Sequence, residues 1–411
     1  MKHFDDLETR ASETRERAQF KALQEQIANA KKNTAYFGKL LAEVQPHEVT
    51  DRASLARLPV TRKSALIELQ KQVKPFAGMN AVPLSRMGRV FASPGPIYDP
   101  QGDKKDFWGM GRALFAAGFR EGDLVHNTFS YHFTPAGFMF DLGAQVIGCP
   151  VFPAGVGQTE LQVQTMADLQ PVAYAGTPSF LKILLEKADE MKLDVSSLKK
   201  ASVAGEAFLP VHRQFFSARG IQAYQCYGTA DLGLISYETE AREGMTVDEG
   251  VLVEIVRPGT GDPVADGEVG EVVVTTLTAE YPLLRFATGD MSAVLPGISP
   301  CGRTNMRIKG WMGRADQTTK VRGMFVHPEQ IAQVVKRNPE VKRARLVVSH
   351  DAERNDQSTL HCESDAEGSA LIDVIAESVR EVCKVRAQIA LVASGSLPND
   401  GKVIEDLRKY D

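Results

Sequence analysis

Residues 171–228 have the sequence PVAYAGTPSFLKILLEKADEMKLDVSSLKKASVAGEAFLPVHRQFFSARGIQAYQCYG, and this stretch decides the fold. Short apolar runs (PVAYAG, KASVAG and IQAYQCYG) alternate in it with amphipathic stretches of helical length. Such alternation is typical of a parallel sheet whose strands are joined by crossover helices. We therefore predict an α/β core over about residues 85–245, with ligands at the loops that follow the carboxyl ends of the strands.

The sequence changes character on the C-terminal side of this core. The apolar runs VLVEIV and EVGEVVVTTL are separated by Gly, Pro and Asp turns, which predicts a small antiparallel β subdomain over about residues 246–300. The tail then alternates helix (328–337), strands (343–349 and 359–363), helix (369–383) and strand (388–392). These segments predict a small α+β C-terminal domain over residues 316–411, after a large N-terminal domain over residues 1–315.

The N-terminal side of the core has a helical composition. Residues 4–44 contain no proline and are rich in Glu, Lys, Ala, Leu and Gln. These residue types favour helix, so we predict one or two surface helices within a helical start that covers residues 1–75. We expect these helices to serve packing.

Length and composition limit the classes of function. The chain has 411 residues, 43% of them hydrophobic and 24% charged, which is enough for at least two domains. The net charge is −4 and no apolar run is long enough to span a bilayer, so we expect no nucleic-acid and no membrane partner. The charged start MKHFDDLETR lacks a signal-peptide pattern, and the five cysteines have no paired spacing. We therefore expect a cytoplasmic protein with free thiols. The oligomeric state stays open, with a homodimer as one option.

Five short motifs follow one another in a fixed order. They are AGEAF (204–208), YGTAD (227–231), TGD (288–290), GRADQTTKVRG (313–323) and LPNDGK (397–402). Together with LARLPVTRKS (55–64), their order and spacing resemble the acyl-adenylate-forming enzymes, and among them the bacterial phenylacetate-CoA ligases. Enzymes of this family use ATP to join an aromatic acid to coenzyme A. The resemblance implies ATP, Mg²⁺ and coenzyme A as cofactors, and a mobile C-terminal lid.

Two of the motifs are expected to bind ribose and the nucleotide backbone. TGD places Asp290 after a flexible turn, where its two oxygens can accept hydrogen bonds from both ribose hydroxyls. The alternative is a turn aspartate that caps its own backbone. The resemblance implies Arg314 as a second ribose contact. In AGEAF, Gly205 permits close approach of the nucleotide, whereas Glu206 is either a nucleotide contact or an acid at a helix start.

The YGTAD motif is expected to bind adenine, phosphate and metal. Tyr227 is predicted to cover the adenine face beside Gly228, and Thr229 to donate to a phosphate oxygen. Asp231 is predicted to bind Mg²⁺, a hard cation that prefers oxygen ligands, although the relatives carry glutamate at this place. The alternative is a plain turn at the end of a strand.

Lys402 is the predicted catalytic residue. A lysine on a loop of a movable lid can bridge the acyl carboxylate and the α-phosphate while negative charge develops there. The alternative is an ordinary solvated lysine. The resemblance further implies a hinge near Asp316, about which the lid rotates to present the segment around Arg322 and Gly323 to coenzyme A.

Aromatic residues predict the pocket for the acid. The segment VHNTFSYHFTPAG (125–137) has several aromatic side chains after a predicted strand, which suits a flat apolar acid. Tyr131 and Phe133 are expected to line the pocket, with Gly137 nearby, although core packing explains aromatic residues equally well. The relatives tend to have two glycines where this chain has Pro135 and Ala136, which predicts a reshaped cavity.

The segment FASPGPIYDP (91–100) departs most from the relatives, which place a Ser/Thr/Gly-rich phosphate loop ending in Gly-Lys-Pro here. The chain keeps Ser93 and Gly95 as predicted phosphate contacts, but Asp99 stands where the lysine belongs. A unit charge at ~4 Å and an effective dielectric constant of about 20 contributes roughly 4 kcal/mol. We therefore expect Asp99 to oppose pyrophosphate binding unless Lys104 and Lys105 compensate.

Two functions follow from these observations. The first is an ATP- and Mg²⁺-dependent ligase that joins an aromatic carboxylic acid to coenzyme A through an acyl-adenylate. The alternative is a binding or regulatory protein that holds nucleotide, acyl-adenylate or coenzyme A without adenylation; a transferase that acts on preformed adenylate is a third option. Cys301 lacks neighbouring thiols, so we expect no zinc site.

Overall fold

The computed structural model of the protein describes residues 2–93, 96–315, 319–321, 324–350, 356–366 and 368–408. By their contacts, the residues form two compact units. The larger unit contains Met1–Val253, Val274–Phe286 and Leu295–Trp311, and the smaller unit contains Glu254–Val273, Ala287–Val294 and Met312–Asp411. The predicted domain boundary at Asp316 stays a prediction, because Asp316 lies outside the described residues.

The protein has a mixed α/β fold, as predicted. The helices are α1 (Ser12–Asn33), α2 (Ala35–Leu40), α3 (Arg52–Ala56), α4 (Leu66–Gln72), α5 (Met110–Ala116), α6 (Ala136–Ile147), α7 (Thr159–Leu169), α8 (Pro178–Met191), α9 (Pro210–Ala218), α10 (Pro328–Arg337) and α11 (Ser369–Cys383). Short 3₁₀ turns cover Asp6–Thr9, Pro46–Glu48, Lys63–Ala65 and Leu84–Arg86.

The strands form several sheets. The strands are β1 (Thr61–Arg62), β2 (Arg89–Ser93), β3 (Ile97–Gln101), β4 (Val125–Asn127), β5 (Val151–Phe152), β6 (Ala173–Gly176), β7 (Lys200–Val203), β8 (Gln222–Thr229), β9 (Gly233–Tyr237), β10 (Met245–Val247), β11 (Val251–Val256), β12 (Gly270–Thr276), β13 (Phe286–Ser292), β14 (Val294–Leu295), β15 (Arg307–Ile308), β16 (Thr319–Val321), β17 (Met324–Val326), β18 (Val341–His350), β19 (Asp356–Ser364), β20 (Gln388–Val392) and β21 (Ile404–Asp406).

The main sheet has the strand order β14-β15-β10-β9-β8-β7-β6-β4-β5. Strands β5, β4, β6, β7 and β8 are parallel, and β9 begins the antiparallel side. Crossover helices join the parallel strands; α8, for example, starts at Pro178 after Thr177, whose side chain accepts a hydrogen bond from the Phe180 N–H. The sheet buries the aliphatic and aromatic core that the alternating pattern predicts.

The helical start and the β subdomain are also present. In α1, Phe20, Leu23, Ile27 and Ala30 form a buried stripe at helical spacing. Strands β1, β13, β12 and β11 form a separate sheet in that order, which gives the small β subdomain. Strands β2 and β3 form a hairpin in which Ser93 pairs with Ile97.

The C-terminal part of the smaller unit has the predicted α+β arrangement. Its sheet has the order β20-β19-β18-β21, with β18 antiparallel to β19 and parallel to β21. Helices α10 and α11 pack with this sheet around a core that includes Ile331, Leu346 and Val379. No helix in the described part of the chain is long and apolar enough to cross a membrane.

Candidate active site

The loops that carry several of the sequence motifs lie at one edge of the main sheet. Strands β4, β6, β7 and β8 run parallel, so their carboxyl ends face the same side. The loop after β4 contains Tyr131 and Phe133, the loop after β7 contains Gly205 and Glu206, and the turn after β8 contains Asp231. AGEAF follows the carboxyl end of β7, as predicted, whereas Tyr227, Gly228 and Thr229 of YGTAD form the last residues of β8 and only Ala230 and Asp231 lie in the turn after it.

The AGEAF motif combines a left-handed glycine with a helix-capping acid. Gly205 has φ +84°, which glycine adopts without strain. The Glu206 carboxylate accepts a hydrogen bond of 2.6 Å from the backbone N–H of Ser179, in the first turn of α8. Glu206 therefore acts at a helix start, one of the two predicted options. Nucleotide contacts of Gly205 and Glu206 stay predictions.

The YGTAD motif contains the end of β8 and the beginning of the turn that leads to β9. The pairing register shifts between the half-buried Tyr227 and Gly228. A side chain at Gly228 would meet the backbone oxygen of Gly233 at 2.5 Å, so the close approach of the two strands requires glycine. Thr229 accepts a hydrogen bond of 3.2 Å from the Leu232 N–H, which holds the turn. Their roles with adenine and phosphate stay predictions.

Asp231 belongs to a cluster of buried polar side chains beside the β2–β3 hairpin. The Asp231 Oδ2 atom lies 2.5 Å from the Lys63 Nζ atom, and the Ser93 hydroxyl donates to Asp99 Oδ2 at 2.8 Å. Asp231 lies close enough to Asp99 for its charge to raise the pKa of Asp99. Among the described residues, the Oδ1 atom of each carboxyl group has no hydrogen-bond partner. We call Lys63, Ser93, Asp99 and Asp231 the hairpin cluster.

Asp99 points into the protein. The side chain is fully buried, and burial, together with the charge of Asp231, raises the pKa of Asp99 well above its ordinary range. Burial and the same two carboxyl groups also raise the pKa of Tyr281. The expectation that Asp99 presents a negative charge to a phosphate does not hold, because its side chain has no exposed surface and burial disfavours its charged form.

The hairpin cluster does not fit a bound Mg²⁺ ion in this arrangement. One oxygen of Asp231 is paired with Lys63 and the other is enclosed, so the carboxylate presents no exposed surface. Mg²⁺ requires six oxygen ligands and usually keeps several waters. Throughout the described ranges, no group of three or more His, Cys, Asp or Glu could hold a metal. The role of Asp231 as a Mg²⁺ ligand stays a prediction, and so does the expected absence of zinc.

Tyr131 and Gly137 pack against each other. The Tyr131 hydroxyl donates to Asp141 at 2.9 Å and accepts from the Asn127 side chain at 2.8 Å. Burial, followed by the charge of Asp141, raises the pKa of Tyr131. A side chain at Gly137 would lie 2.8 Å from the Tyr131 ring, so glycine permits this packing. The space at Gly137 is therefore filled by Tyr131.

Phe133 is an exposed aromatic residue beside the hairpin. Its side chain is 81% exposed, and its φ of +61° is unusual for a residue with a side chain. The Phe133 carbonyl accepts a hydrogen bond of 2.8 Å from the Ala92 N–H in β2. Phe133 lines an open groove of about 790 Å³ with Phe91, Pro96 and Tyr98. The structure thus places Phe133 and Tyr131 in different surroundings.

Asp290 and Arg314 are neighbours in the smaller unit, as their shared prediction requires. The Arg314 guanidinium donates to Asp290 Oδ1 at 3.0 Å, and the two residues form an isolated β-bridge. Gly289 has φ +76°, and a side chain there would meet the guanidinium at 2.8 Å. Half of the Arg314 side chain is exposed. Ribose binding by this pair stays a prediction.

Lys402 lies in the smaller unit, on the loop before β21. Its Nζ atom is 3.0 Å from Glu405, and it lines a groove of about 590 Å³ that also contains Lys336. The Asn399 side chain fixes the preceding residues, because it accepts from the Val269 N–H at 3.0 Å and donates to the Gly267 carbonyl at 3.3 Å. The catalytic role of Lys402 stays a prediction.

Some predicted residues cannot be placed. Gly95, Asp316, Arg322 and Gly323 lie outside the described residues, so their roles in phosphate binding, the hinge and coenzyme A binding stay predictions. Cys301 is buried, and its sulfur is 3.0 Å from the Ser299 hydroxyl.

Sequence reasoning missed the role of Lys63 and the orientation of Asp99. Lys63 lies in LARLPVTRKS. This segment supports the resemblance to the family, but no chemical role was predicted for any of its residues. It is 168 residues from Asp231, so no local spacing joins the two. The available signal was the pair of departures from the relatives: Asp99 for lysine, and Asp231 for glutamate. Asp231 is shorter than the glutamate of the relatives, and Asp99 is an acid that the relatives lack at its position. Two such changes together indicate that both side chains have different interaction partners from those in the relatives.

Comparison with known proteins shows similarity over nearly the whole chain. The AMP-binding enzyme family matches residues 110–278. A phenylacetate-coenzyme A ligase from Thermus thermophilus is 30% identical over 97% of this chain and 98% of its own length. Another from Aromatoleum evansii is 32% identical over 82% of this chain and 79% of its own length.

A solved structure is similar as well. It is an open conformation of 2-hydroxyisobutyryl-CoA ligase in complex with 2-HIB-AMP and CoA, with a TM-score of 0.74 and 25% sequence identity. The match covers 97% of this chain and 92% of that one.

Proposed function

The chain belongs to the AMP-binding enzymes and, among them, to the acid–thiol ligases that form AMP, and we propose that it joins an aromatic carboxylic acid to coenzyme A through an acyl-adenylate. The observation that carries the proposal is the 30% identity to a phenylacetate-coenzyme A ligase across 97% of this chain and 98% of that protein. The alignment covers nearly all of both chains, so the similarity is not confined to the main sheet.

The reaction has two steps. First, a carboxylate oxygen of the acid attacks the α-phosphorus of ATP, and pyrophosphate leaves. The thiol of coenzyme A then attacks the acyl carbon, loses its proton, and AMP leaves. Mg²⁺ is proposed to enter with the phosphates of ATP and to neutralise part of their charge. We place the reaction in the cytoplasm.

Each unit contributes residues to this proposal. In the larger unit, Tyr227 is proposed to contact adenine and Thr229 a phosphate oxygen. In the smaller unit, Asp290 and Arg314 are proposed to bind ribose, since the pair is preformed and partly exposed. Lys402 is proposed to stabilise the charge that develops between carboxylate and α-phosphate.

The preference for an aromatic acid is supported by the groove at the hairpin. Phe91, Tyr98 and Phe133 border it, and Phe133 exposes most of its ring. An exposed aromatic residue held at a positive φ is costly unless it has a use, and flat apolar surfaces bind flat ligands well. The similar solved structure binds a 2-HIB adenylate, so a small aliphatic acid is the competing substrate to test.

The alternative of a protein that binds nucleotide without adenylation rested on the altered hairpin. Its main argument was the charge of Asp99, and the full burial of Asp99 removes that argument. The ligase is therefore the function that the structure supports best.

The test is acid-dependent exchange between ATP and labelled pyrophosphate. Benzoate, phenylacetate, their hydroxyl- and amino-substituted forms and 2-hydroxyisobutyrate are compared. We expect exchange with an aromatic acid, and a loss of roughly 100-fold or more in Lys402→Ala, as is typical for removal of one preorganised charged group. Thioester formation from supplied acyl-adenylate should be spared.

Lys336→Ala is the matched control, because Lys336 lines the same groove as Lys402. Its exchange rate should remain that of the unaltered protein. Preference for 2-hydroxyisobutyrate would overturn the aromatic substrate. Absence of exchange with every acid, in a protein that binds AMP or coenzyme A, would overturn adenylation by this chain.

A further inference from the structure

Lys63 places an ammonium group beside the altered hairpin. Its Nζ atom is 2.5 Å from Asp231 Oδ2, and Asp231 in turn contacts Asp99 in β3. One quarter of the Lys63 side chain is exposed, whereas the Asp231 side chain has no exposed surface. The carboxyl groups therefore lie behind the ammonium, and the part of the cluster that solvent reaches is the cation.

The ammonium has donors to offer a ligand. A lysine Nζ carries three N–H groups, and Asp231 is the hydrogen-bond partner that the described part of the chain provides. Two N–H groups therefore remain for a ligand that approaches from solvent. A compact ammonium with several donors is well suited to phosphate oxygens.

The segment that carries Lys63 is fixed to the hairpin. Lys63 begins the 3₁₀ turn that leads into α4, and Gln70 of α4 makes two hydrogen bonds to the backbone of Tyr98 in β3. The Gln70 amide donates to the Tyr98 carbonyl at 2.9 Å and accepts from the Tyr98 N–H at 2.8 Å. The ammonium and the hairpin therefore keep a defined spacing.

We propose that Lys63 binds the pyrophosphate portion of ATP and supplies the cation that the hairpin lacks, with Asp99 and Asp231 as positioning residues that hold its ammonium. This inference rests on the proposed ligase function. It explains why Asp99 stands where a phosphate-loop lysine is expected. The Asp99 side chain faces inward and lies beside Asp231, and Asp231 holds the ammonium of Lys63, a lysine from another segment. Lys104 and Lys105, the compensating residues suggested by sequence, are exposed on the segment after β3.

Binding measurements without turnover test the proposal. Calorimetric titrations with inorganic pyrophosphate, ATP and AMP are made without added Mg²⁺, so that the protein alone supplies the cation. Lys63→Met should weaken pyrophosphate and ATP binding roughly 10- to 100-fold, as expected for one charge-assisted hydrogen bond. Affinity for AMP, which lacks the two outer phosphates, should stay within about twofold. Lys104→Met is the matched control and should bind all three ligands like the unaltered protein.

A second variant separates phosphate binding from folding. Lys63→Met leaves the buried Asp231 without its counter-ion, which by itself lowers stability. The double variant Lys63→Met/Asp231→Asn removes both charges and should recover much of the unfolding temperature. A purely structural role predicts that ATP affinity recovers as well, and that result would overturn the proposal. Persistent loss of ATP affinity, with AMP affinity retained, supports a direct phosphate contact.

The outcomes distinguish this inference from the ligase proposal. Equal ATP and pyrophosphate affinities in Lys63→Met and the unaltered protein, with acid-dependent exchange present, overturn the role of Lys63 alone. Lys63-dependent pyrophosphate binding without exchange for any acid overturns the ligase and leaves the phosphate site. Absence of ATP and pyrophosphate binding in the unaltered protein overturns both.

Discussion

Two clusters of buried charge in the larger unit differ in their balance of acids and bases. The N-terminal cluster has four acids and four arginines in two groups of ion pairs: Arg10 and Arg15 pair with Glu249, and Arg112 and Arg303 pair with Asp5, Glu8 and Asp248. The hairpin cluster has two carboxyl groups for one lysine, and burial disfavours the charged form of Asp99. The balanced cluster connects elements, whereas the unbalanced one presents a cation.

The partners within each cluster support this distinction. Arg112 of α5 makes two hydrogen bonds of 2.8 Å to Asp5 and one of 3.0 Å to Asp248, and so joins three distant segments. Planar guanidinium groups suit such bridging, and a mobile ammonium suits a ligand. Buried charge alone is therefore a weak sign of a functional site; a partly exposed cation beside a carboxyl group whose charged form is disfavoured is a better sign.

The largest effect on stability is expected in the N-terminal cluster. Arg112→Met leaves Asp5 and Asp248 without their guanidinium partner, and breaking a buried pair from one side typically costs about 3–5 kcal/mol. The free energy of unfolding, measured with urea, should fall by that amount. The ratio of ATP affinity to AMP affinity should not change, because the cluster contains none of the residues proposed to bind ATP.

The control for Arg112→Met is Lys71→Met. Lys71 pairs with Glu68 at 3.3 Å, and about two thirds of both side chains are exposed. This change should alter stability by less than about 0.5 kcal/mol. A similarly small loss in Arg112→Met would show that the N-terminal cluster is not a structural tie.

A smaller effect is expected in the dependence of stability on pH. Burial raises the pKa of Asp248 to about 6 from an ordinary value of 3.8, despite the nearby Arg112. The folded protein then holds this proton more tightly than the unfolded chain, so stability falls as pH rises from about 4 to about 6. Two pKa units correspond to about 3 kcal/mol. Asp248→Asn should remove this part of the slope in urea unfolding.

The pH dependence of urea unfolding can also be measured for the hairpin cluster and compared with that of the N-terminal cluster. The pKa of Asp99 is raised well above its ordinary range, chiefly by burial, so Asp99→Asn should remove a fall in stability that begins near pH 4 and continues through the raised pKa. Curves for the unaltered protein and Asp99→Asn that run parallel over this range would contradict a raised pKa of Asp99.

The smallest effect on stability is expected for Phe133. Its side chain is 81% exposed, and asparagine tolerates a positive φ, so Phe133→Asn should change the free energy of unfolding by less than about 0.5 kcal/mol. Affinity for the aromatic acid should fall by about two- to tenfold with the loss of ring stacking. Leu169→Asn, at an exposed position where α7 ends, should change neither quantity. Unchanged acid affinity in Phe133→Asn would separate the groove from the substrate.

The regular elements were predictable because their patterns are local. The predicted bounds of α10 and α11 agree with the structure, since amphipathic stretches end there at proline, glycine and polar residues. Strand β18 is longer than predicted: it begins at Val341, where a register shift interrupts the alternation before Arg343. Boundaries at such irregularities depend on pairing with another strand.

The candidate site was predictable as a set of motifs but not as a set of partners. The sequence placed YGTAD near the carboxyl end of a strand, because strand and turn residues signal this locally, but it did not indicate that β8 continues to Thr229. It did not indicate that Asp231 pairs with Lys63, because that contact joins distant segments through the tertiary fold. Nor did it indicate that Asp99 faces inward, because one residue in a hairpin faces either side according to register.

The Asn399 side chain makes hydrogen bonds to residues 267 and 269. A rearrangement of the Lys402 loop that separates it from these residues must break both bonds, which costs free energy. Two hydrogen bonds at about 1 kcal/mol each favour the attached arrangement by a factor of about 30. A ligand shifts such an equilibrium only by its difference in affinity between the two arrangements. Ligands that bind both arrangements equally therefore leave Lys402 in place at any concentration, and a ligand must discriminate by more than this factor to make the rearranged population the larger one.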